Sequence, residues 1–80
     1  METKKQKFGR RIRFLREQAG ISQSKFALMI GMNQAYLSGI ENGRRNISFD
    51  NIEKIANGLG VSISDLFVEI QNKNLIVLDH

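Results

Sequence analysis

The apolar residues of this chain recur at intervals of three and four positions, which is the spacing of one face of an α-helix. A first helix over about residues 5–19 is predicted by the stripe of Phe8, Ile12, Leu15 and Ala19. The same spacing predicts four more short helices, over about 23–30, 34–42, 49–59 and from Ser62 or Ser64 to Ile70.

Residues suited to begin or end a helix stand at the boundaries of these stretches. Serine and asparagine side chains accept hydrogen bonds from the free backbone N–H groups at a helix start, and glycine readily adopts the left-handed conformation just past a helix end. The predicted caps are Ser22, Asn33 and Ser48, and the predicted stops are Gly20, Gly31, Gly43 and Gly60. We therefore predict a compact, five-helix, all-α fold in a single domain over residues 1–80, with residues 1–4 flexible.

The segment over residues 75–78 is an unbroken apolar run, too short for a helix of its own. Its β-branched residues favour an extended conformation. An exposed apolar run calls for a partner surface, so we expect residues 62–80 to form a dimerisation region. The alternative is that the segment folds back on its own domain. The predicted dimer interface comprises Ile63, Leu66, Phe67, Ile70, Leu75, Ile76, Val77 and Leu78.

The net charge is +4, and the positive charge is concentrated at the start of the chain. Seven lysines and arginines fall within the first 16 residues, opposed there only by Glu2. Such a segment favours a polyanionic partner, although a solvated helix face explains it equally well. For Lys4, Lys5 and Lys7 in particular, a soluble tail and a nucleic-acid contact both remain open.

Composition argues against several other classes of protein. The chain has no cysteine, and its one histidine is His80. We find no nucleophile–base pair, metal cluster or glycine-rich phosphate loop, so no enzymatic activity, metal, cofactor or small-molecule ligand is expected. The lack of cysteine suits the cytoplasm, and the lack of an apolar run near 18 residues argues against a membrane span.

The second and third predicted helices are separated only by Gly31, Met32 and Asn33. A short turn containing glycine between two helices is typical of a helix-turn-helix motif. The small Ala27 lets the two helices approach closely. The third helix is expected to expose small or hydrogen-bonding residues suited to base edges and phosphates, namely Gln34, Ala35, Tyr36, Ser38 and Gly39. Gly39 is interpreted as allowing close approach to DNA, with simple tolerance of glycine as the alternative.

The stretch from Ile21 to Phe67, ISQSKFALMIGMNQAYLSGIENGRRNISFDNIEKIANGLGVSISDLF, resembles the Cro/C1-type (XRE-like) helix-turn-helix family of phage and bacterial repressors. Four segments agree with the family in order and spacing, namely SQSKFA, the glycine turn, YLSGIENG and IEKIANGLGVSISDLF. The resemblance implies a lambda-repressor-like fold. Within the family, YLSGIENGRRN is most similar to the controller proteins of restriction-modification systems.

The resemblance also implies roles for individual residues. Gln23 corresponds to a phosphate-holding position, Gln34 and Ala35 to base-reading positions, and Arg16 with Glu41 to an internal ion pair. The full DNA-binding set expected is Gln23, Asn33, Gln34, Ala35, Tyr36, Ser38, Gly39, Arg44, Arg45 and Asn46. Controller proteins commonly carry arginine and threonine where Gln34 and Ala35 stand here, so the resemblance implies the mode of binding and not the target sequence. Ile47 occupies a position where the family often has proline.

Helical spacing further predicts that Phe26, Met29, Phe49 and Phe67 lie in or near the core. Gly58 has no evident function.

The function expected from the resemblance is a dimeric regulator that binds a pseudo-palindromic double-stranded DNA operator. As a restriction-modification controller it would regulate its own operon. Its expected protein partner is RNA polymerase, which it would contact through the sigma subunit. The alternatives are an immunity-type repressor of a phage or mobile element, and an antitoxin or other protein-interaction module. The last would need an acidic or apolar recognition face, which Gln34 to Asn46 does not provide.

Overall fold

A computed structural model of the protein describes residues 1–71 and 74–77, with side chains described as far as Val68. Four α-helices follow one another along the chain, and then a 3-10 helix and two strands. They are α1 (Lys4–Gln18), α2 (Gln23–Met29), α3 (Gln34–Glu41), α4 (Phe49–Leu59), the 3-10 helix Ser64–Phe67, β1 (Val68–Gln71) and β2 (Asn74–Val77). The all-α class and the helix-turn-helix architecture are therefore confirmed for the body of the protein, which is followed by a small β-hairpin.

The helices begin where the sequence predicts. Ser22 accepts a hydrogen bond from the backbone N–H of Lys25, and Asn33 and Ser48 cap α3 and α4 in the same way. Helix α1 begins with a cap that the sequence analysis missed. Thr3 Oγ1 accepts from the Gln6 N–H at 3.1 Å, and Gln6 Oε1 accepts from the Thr3 N–H at 2.8 Å. This reciprocal capping box corrects the expectation that residues 1–4 are all flexible.

The core lies where the four helices and the 3-10 helix meet. Its buried apolar residues are Phe8, Ile12, Phe26, Ala27, Leu37, Ile40, Ile55, Ala56 and Leu66. Two residues expected in or near it are instead on the surface, because Met29 is 53% exposed and Phe49 is 63% exposed. Met29 lies in the last turn of a seven-residue helix, beside the inward face. Phe49 is the first residue of α4 and precedes the turn that carries the buried face.

Gly58 has a packing role that the sequence did not reveal. A Cβ at this position would lie 3.0 Å from Phe26 Cε1 and still closer to Ile30 Cγ2. Glycine therefore lets α4 pack closely against the Phe26 and Ile30 side chains at α2.

The predicted fifth α-helix is wrong in its second half. Ser62 and Asp65 form a reciprocal cap, with the Ser62 N–H donating to Asp65 Oδ2 at 3.1 Å and the Asp65 N–H donating to Ser62 Oγ at 3.2 Å. The turn that they start is a 3-10 helix that ends at Phe67, since Val68 has extended backbone angles. Two of the four residues of β1 are β-branched, which favours a strand over a helix.

Strands β1 and β2 pair antiparallel, with Val68 opposite Val77 and Ile70 opposite Leu75. The extended conformation predicted for the apolar tail is confirmed for residues 74–77, and Leu78 and His80 lie outside the described residues. Strand β1 packs against α1. Among the helices described, none has both the length and the apolar character needed to cross a membrane.

Candidate nucleic-acid interface

The turn between α2 and α3 lets the two helices pack against each other, and α3 also packs against α1. Gly31 has a φ of +65°, and the Met32 N–H donates to the Ala27 carbonyl at 2.9 Å across the turn. Glycine is needed there because other residues rarely adopt this left-handed conformation. Ala27, only 2% exposed, lies in the core beside the turn. Asn33 then caps α3 directly, so no flexible linker separates the two helices.

Helix α3 buries one face and presents another. Leu37, Ile40 and Glu41 are buried, whereas Gln34 and Ala35 at its amino end are exposed. Tyr36 and Ser38 are half-buried. Gly39, expected on the exposed face, is buried instead, because the side chain of Arg45 lies across it.

A series of hydrogen bonds connects the core to the amino end of α3. Arg16 and Glu41 form a buried two-pronged ion pair, with Arg16 Nε 2.8 Å from Glu41 Oε2 and Nη2 2.9 Å from Oε1. This is the internal pair that the resemblance implies. The hydrogen bond from Arg16 to Glu41 raises the pKa of Arg16 above its ordinary value, although desolvation opposes the rise.

The same carboxylate accepts a hydrogen bond from Gln23, which in turn accepts one from Gln34. Gln23 Nε2 donates to Glu41 Oε1 at 3.1 Å, and Gln34 Nε2 donates to Gln23 Oε1 at 3.4 Å. Each amide nitrogen carries two protons. Gln34 therefore retains one N–H and its Oε1, which is the donor and acceptor pair that matches adenine, and Gln23 retains one N–H for another acceptor.

Tyr36 links α3 to the elements that follow. Its hydroxyl donates to the Asn46 carbonyl at 3.2 Å and accepts from Asn51 Nδ2 at 3.2 Å. Asn51, in the first turn of α4, was not singled out from the sequence. Its contact spans 15 positions, and no local pattern in the sequence announces such a pair.

The loop after α3 carries two exposed cations. It is formed by a sharp turn at Gly43, where φ is +74° and where the Arg44 N–H donates back to the Gly39 carbonyl at 2.8 Å. Arg44, Arg45 and Asn46 are all exposed. Within the part of the chain described, no carboxylate forms an ion pair with Arg44 or Arg45, and the Arg45 guanidinium lies 5.9 Å from the centre of the Tyr36 ring. These charges are available to an anion.

The basic residues of α1 are placed differently. Arg10 lies 2.8 Å from Glu2, and Arg13 lies 3.1 Å from Glu17. Arg11 donates to the Asp65 carbonyl at 2.9 Å and so holds the 3-10 helix. Much of the basic segment at the start of the chain is thus engaged within the protein.

The predicted dimer residues divide into two groups. Leu66 is fully buried in its own domain, which corrects its assignment to an interface, and Phe67 stacks on Phe8 with ring centres 4.8 Å apart. Ile63 is half-buried against the core. The backbones of Ile70 and of residues 75–77 lie in the hairpin.

Among the described residues, no cluster of acidic or histidine side chains could hold a metal ion.

Comparison with known proteins adds independent information. The helix-turn-helix family model HTH_3 matches residues 12–66. The chain is 44% identical over 68 residues to control protein C.MunI of Mycoplasma sp, which covers 84% of this chain and 92% of that protein.

Two solved structures share the fold. The restriction-modification controller protein C.AhdI from Aeromonas hydrophila aligns with a TM-score of 0.76 at 42% identity, over 78% of this chain and 94% of that one. SinR, a master regulator for biofilm formation whose structure is in complex with DNA, aligns with a TM-score of 0.70 at 38% identity, over 74% of this chain and 95% of that one.

Proposed function

Because this chain belongs to the helix-turn-helix family HTH_3, we propose that it is a sequence-specific regulator of transcription that binds double-stranded DNA as a dimer. Its target is a pseudo-palindromic operator. As a restriction-modification controller protein, it binds ahead of its own operon and regulates it. The similarity to C.MunI over nearly the whole length of both chains supports this narrower assignment.

One observation carries the proposal. The amino end of α3 is exposed, and the loop that follows the same helix carries two exposed arginines that have no ion-pair partner among the described residues. The pre-oriented amide of Gln34 supplies a base contact, and Arg44 and Arg45 supply phosphate contacts. Phosphate contacts fix the position of a protein on DNA, and base contacts select the sequence. Helix α3 and the loop that follows it thus supply both kinds of group.

In this proposal the protein acts in the cytoplasm. It contacts duplex DNA through α2, α3 and the loop over residues 43–47, and RNA polymerase through the sigma subunit. Two copies place their α3 helices about 34 Å apart, one turn of DNA. The two copies together read twice the sequence that one copy reads.

The test is a titration of labelled duplexes, followed by fluorescence anisotropy, at several salt concentrations. The duplexes are the region ahead of the protein's own gene and a scrambled sequence of equal length. We expect tighter binding to the first, and an affinity that falls with salt at about −0.9 in log–log slope per phosphate contacted. Arg45→Ala should weaken binding to both duplexes and flatten that slope by about one unit.

Lys54→Ala is the matched control, because Lys54 is an exposed cation of α4 outside the predicted interface. It should leave both the affinity and the slope unchanged. Binding that does not depend on salt would refute DNA recognition by this surface. Equal affinity for the two duplexes would refute a role at the protein's own operon.

A further inference from the structure

Gly39 is an unusual residue for the middle of α3, the helix proposed to contact DNA bases. Glycine disfavours helices because it loses the most backbone freedom on folding. Four glycines of this chain have a positive φ, and Gly39 is not among them. The backbone conformation therefore does not require glycine at this position, and a constraint on it would come from its surroundings.

The constraint is the side chain of Arg45. A Cβ built on Gly39 would lie 2.5 Å from Arg45 Cγ and 3.5 Å from Arg45 Cδ. The aliphatic stem of Arg45 thus lies in the space that any other residue at position 39 would fill. We call this space the Gly39 gap.

The surrounding contacts hold Arg45 in the gap. The turn at Gly43 sends the chain back along α3, with the Arg44 N–H bonded to the carbonyl of Gly39 itself. One residue further on, the Asn46 carbonyl accepts from the Tyr36 hydroxyl at 3.2 Å. The guanidinium ends 5.9 Å from the Tyr36 ring centre, within the range of a cation–π contact.

We propose that Gly39 is a positioning residue for Arg45. The absence of a Cβ lets the arginine lie flat across α3. Its guanidinium is therefore already in place beside this helix when a DNA phosphate binds. A side chain ordered before binding loses less entropy on binding. This inference rests on the proposed function, and it replaces the interpretation of Gly39 as a point of close approach to DNA.

The test in the free protein is by NMR. Protons on Arg45 Cγ should show nuclear Overhauser contacts to the α-protons of Gly39, and Gly39→Ala should abolish the contact between these two residues. Absence of this contact in the wild-type protein would overturn the proposal without any reference to DNA.

The test on DNA is a double-mutant cycle, which isolates the coupling between two residues. We expect Gly39→Ala alone to weaken operator binding by about tenfold, which corresponds to about 1.4 kcal/mol, and to flatten the salt slope by about one unit. In an Arg45→Ala background the same change should have no further effect. In an Arg44→Ala background, the matched control, it should still cost the full tenfold.

Each other outcome is decisive. An equal loss from Gly39→Ala in the presence and absence of Arg45 would mean that DNA itself approaches Gly39. No loss in the wild-type background would also contradict the proposal. If Arg45→Ala changes nothing while the wild type binds its operator, the positioning role fails and the DNA-binding function stands. If the wild type binds no DNA, the proposed function fails. If Gly39→Ala folds poorly, the double variant Gly39→Ala/Arg45→Ala lacks the steric conflict. Its binding can then still be compared with that of Arg45→Ala alone.

Discussion

At the scale of single residues, the hydrogen bonds that end at Gln34 determine what it offers to a base. Its Nε2 is bonded to Gln23, which is bonded to the buried Glu41. Because the amide loses its hydrogen bond to Gln23 if it turns over, one order of its remaining donor and acceptor is favoured. An ordered donor and acceptor select adenine in the major groove.

We therefore expect Gln34→Ala to relax the preference for one base pair in each half-site, by about 1–3 kcal/mol. Affinity for unrelated DNA should change little, because the phosphate contacts remain. Binding to a set of operators with single base changes measures both effects. Gln18→Ala, at an exposed glutamine of α1, is the matched control and should leave every preference unchanged. A uniform loss over all operators would instead assign Gln34 to the DNA backbone.

The sequence predicted residues whose role depends on near neighbours. The caps Ser22, Asn33 and Ser48 accept bonds from N–H groups three positions ahead, so a local pattern suffices to find them. Asn51 bonds to Tyr36 across a loop, and Arg45 lies over Gly39. Such contacts depend on how the chain folds back, which no local pattern records.

At the scale of helices, the packing of α4 on α2 depends on Gly58. Replacing Gly58 with alanine would improve helix propensity by about 1 kcal/mol, but the added methyl would meet Phe26 and Ile30. Overpacking a core costs about 1–3 kcal/mol. We expect Gly58→Ala to lower the free energy of unfolding by up to about 2 kcal/mol on balance, as measured by urea denaturation.

The neighbouring Asn57 provides the control, because it is exposed on the same helix. Asn57→Ala should leave stability unchanged or raise it slightly, through helix propensity alone. A Gly58→Ala variant as stable as Asn57→Ala would show that the two helices can separate without cost.

The helices were easier to predict than the segment that follows them. Ser62 and Asp65 form a helix start, and the sequence suggested a full helix from there to Ile70. Val68 and Ile70 instead pair with residues near the end of the chain. The apolar spacing of Ile63, Leu66 and Phe67 suits a helix, but four residues of 3-10 helix already place Leu66 in the core.

At the scale of the whole molecule, the body and the hairpin differ in how well a single copy can stabilise them. Helices α1 to α4 share a continuous buried core. Strands β1 and β2 form a two-stranded sheet whose described packing on the body is that of β1 against α1, and two strands by themselves are at best marginal in water. Among the described residues, no third strand pairs with either of the outer edges, and an unpaired strand edge can pair with another chain. Residues 68–77 are therefore where we expect a second copy to bind.

The corresponding prediction is that Ile70→Asp converts the dimer into a monomer. The structure makes Ile70 a better test than Phe67, since Phe67 stacks on Phe8 and its replacement would also disturb the body. Sedimentation equilibrium at micromolar concentration should give the mass of two chains for the wild type and of one for the variant, with the helical circular dichroism retained. Operator affinity should fall well beyond the loss in non-specific binding, because one copy reads only half of the site.

Leu28→Asp is the control, because Leu28 is an apolar residue of α2 that is 83% exposed. It should remain dimeric. A monomer from Leu28→Asp together with a dimer from Ile70→Asp would move the interface to α2, and a wild-type monomer that binds singly to its operator would exclude dimeric recognition altogether.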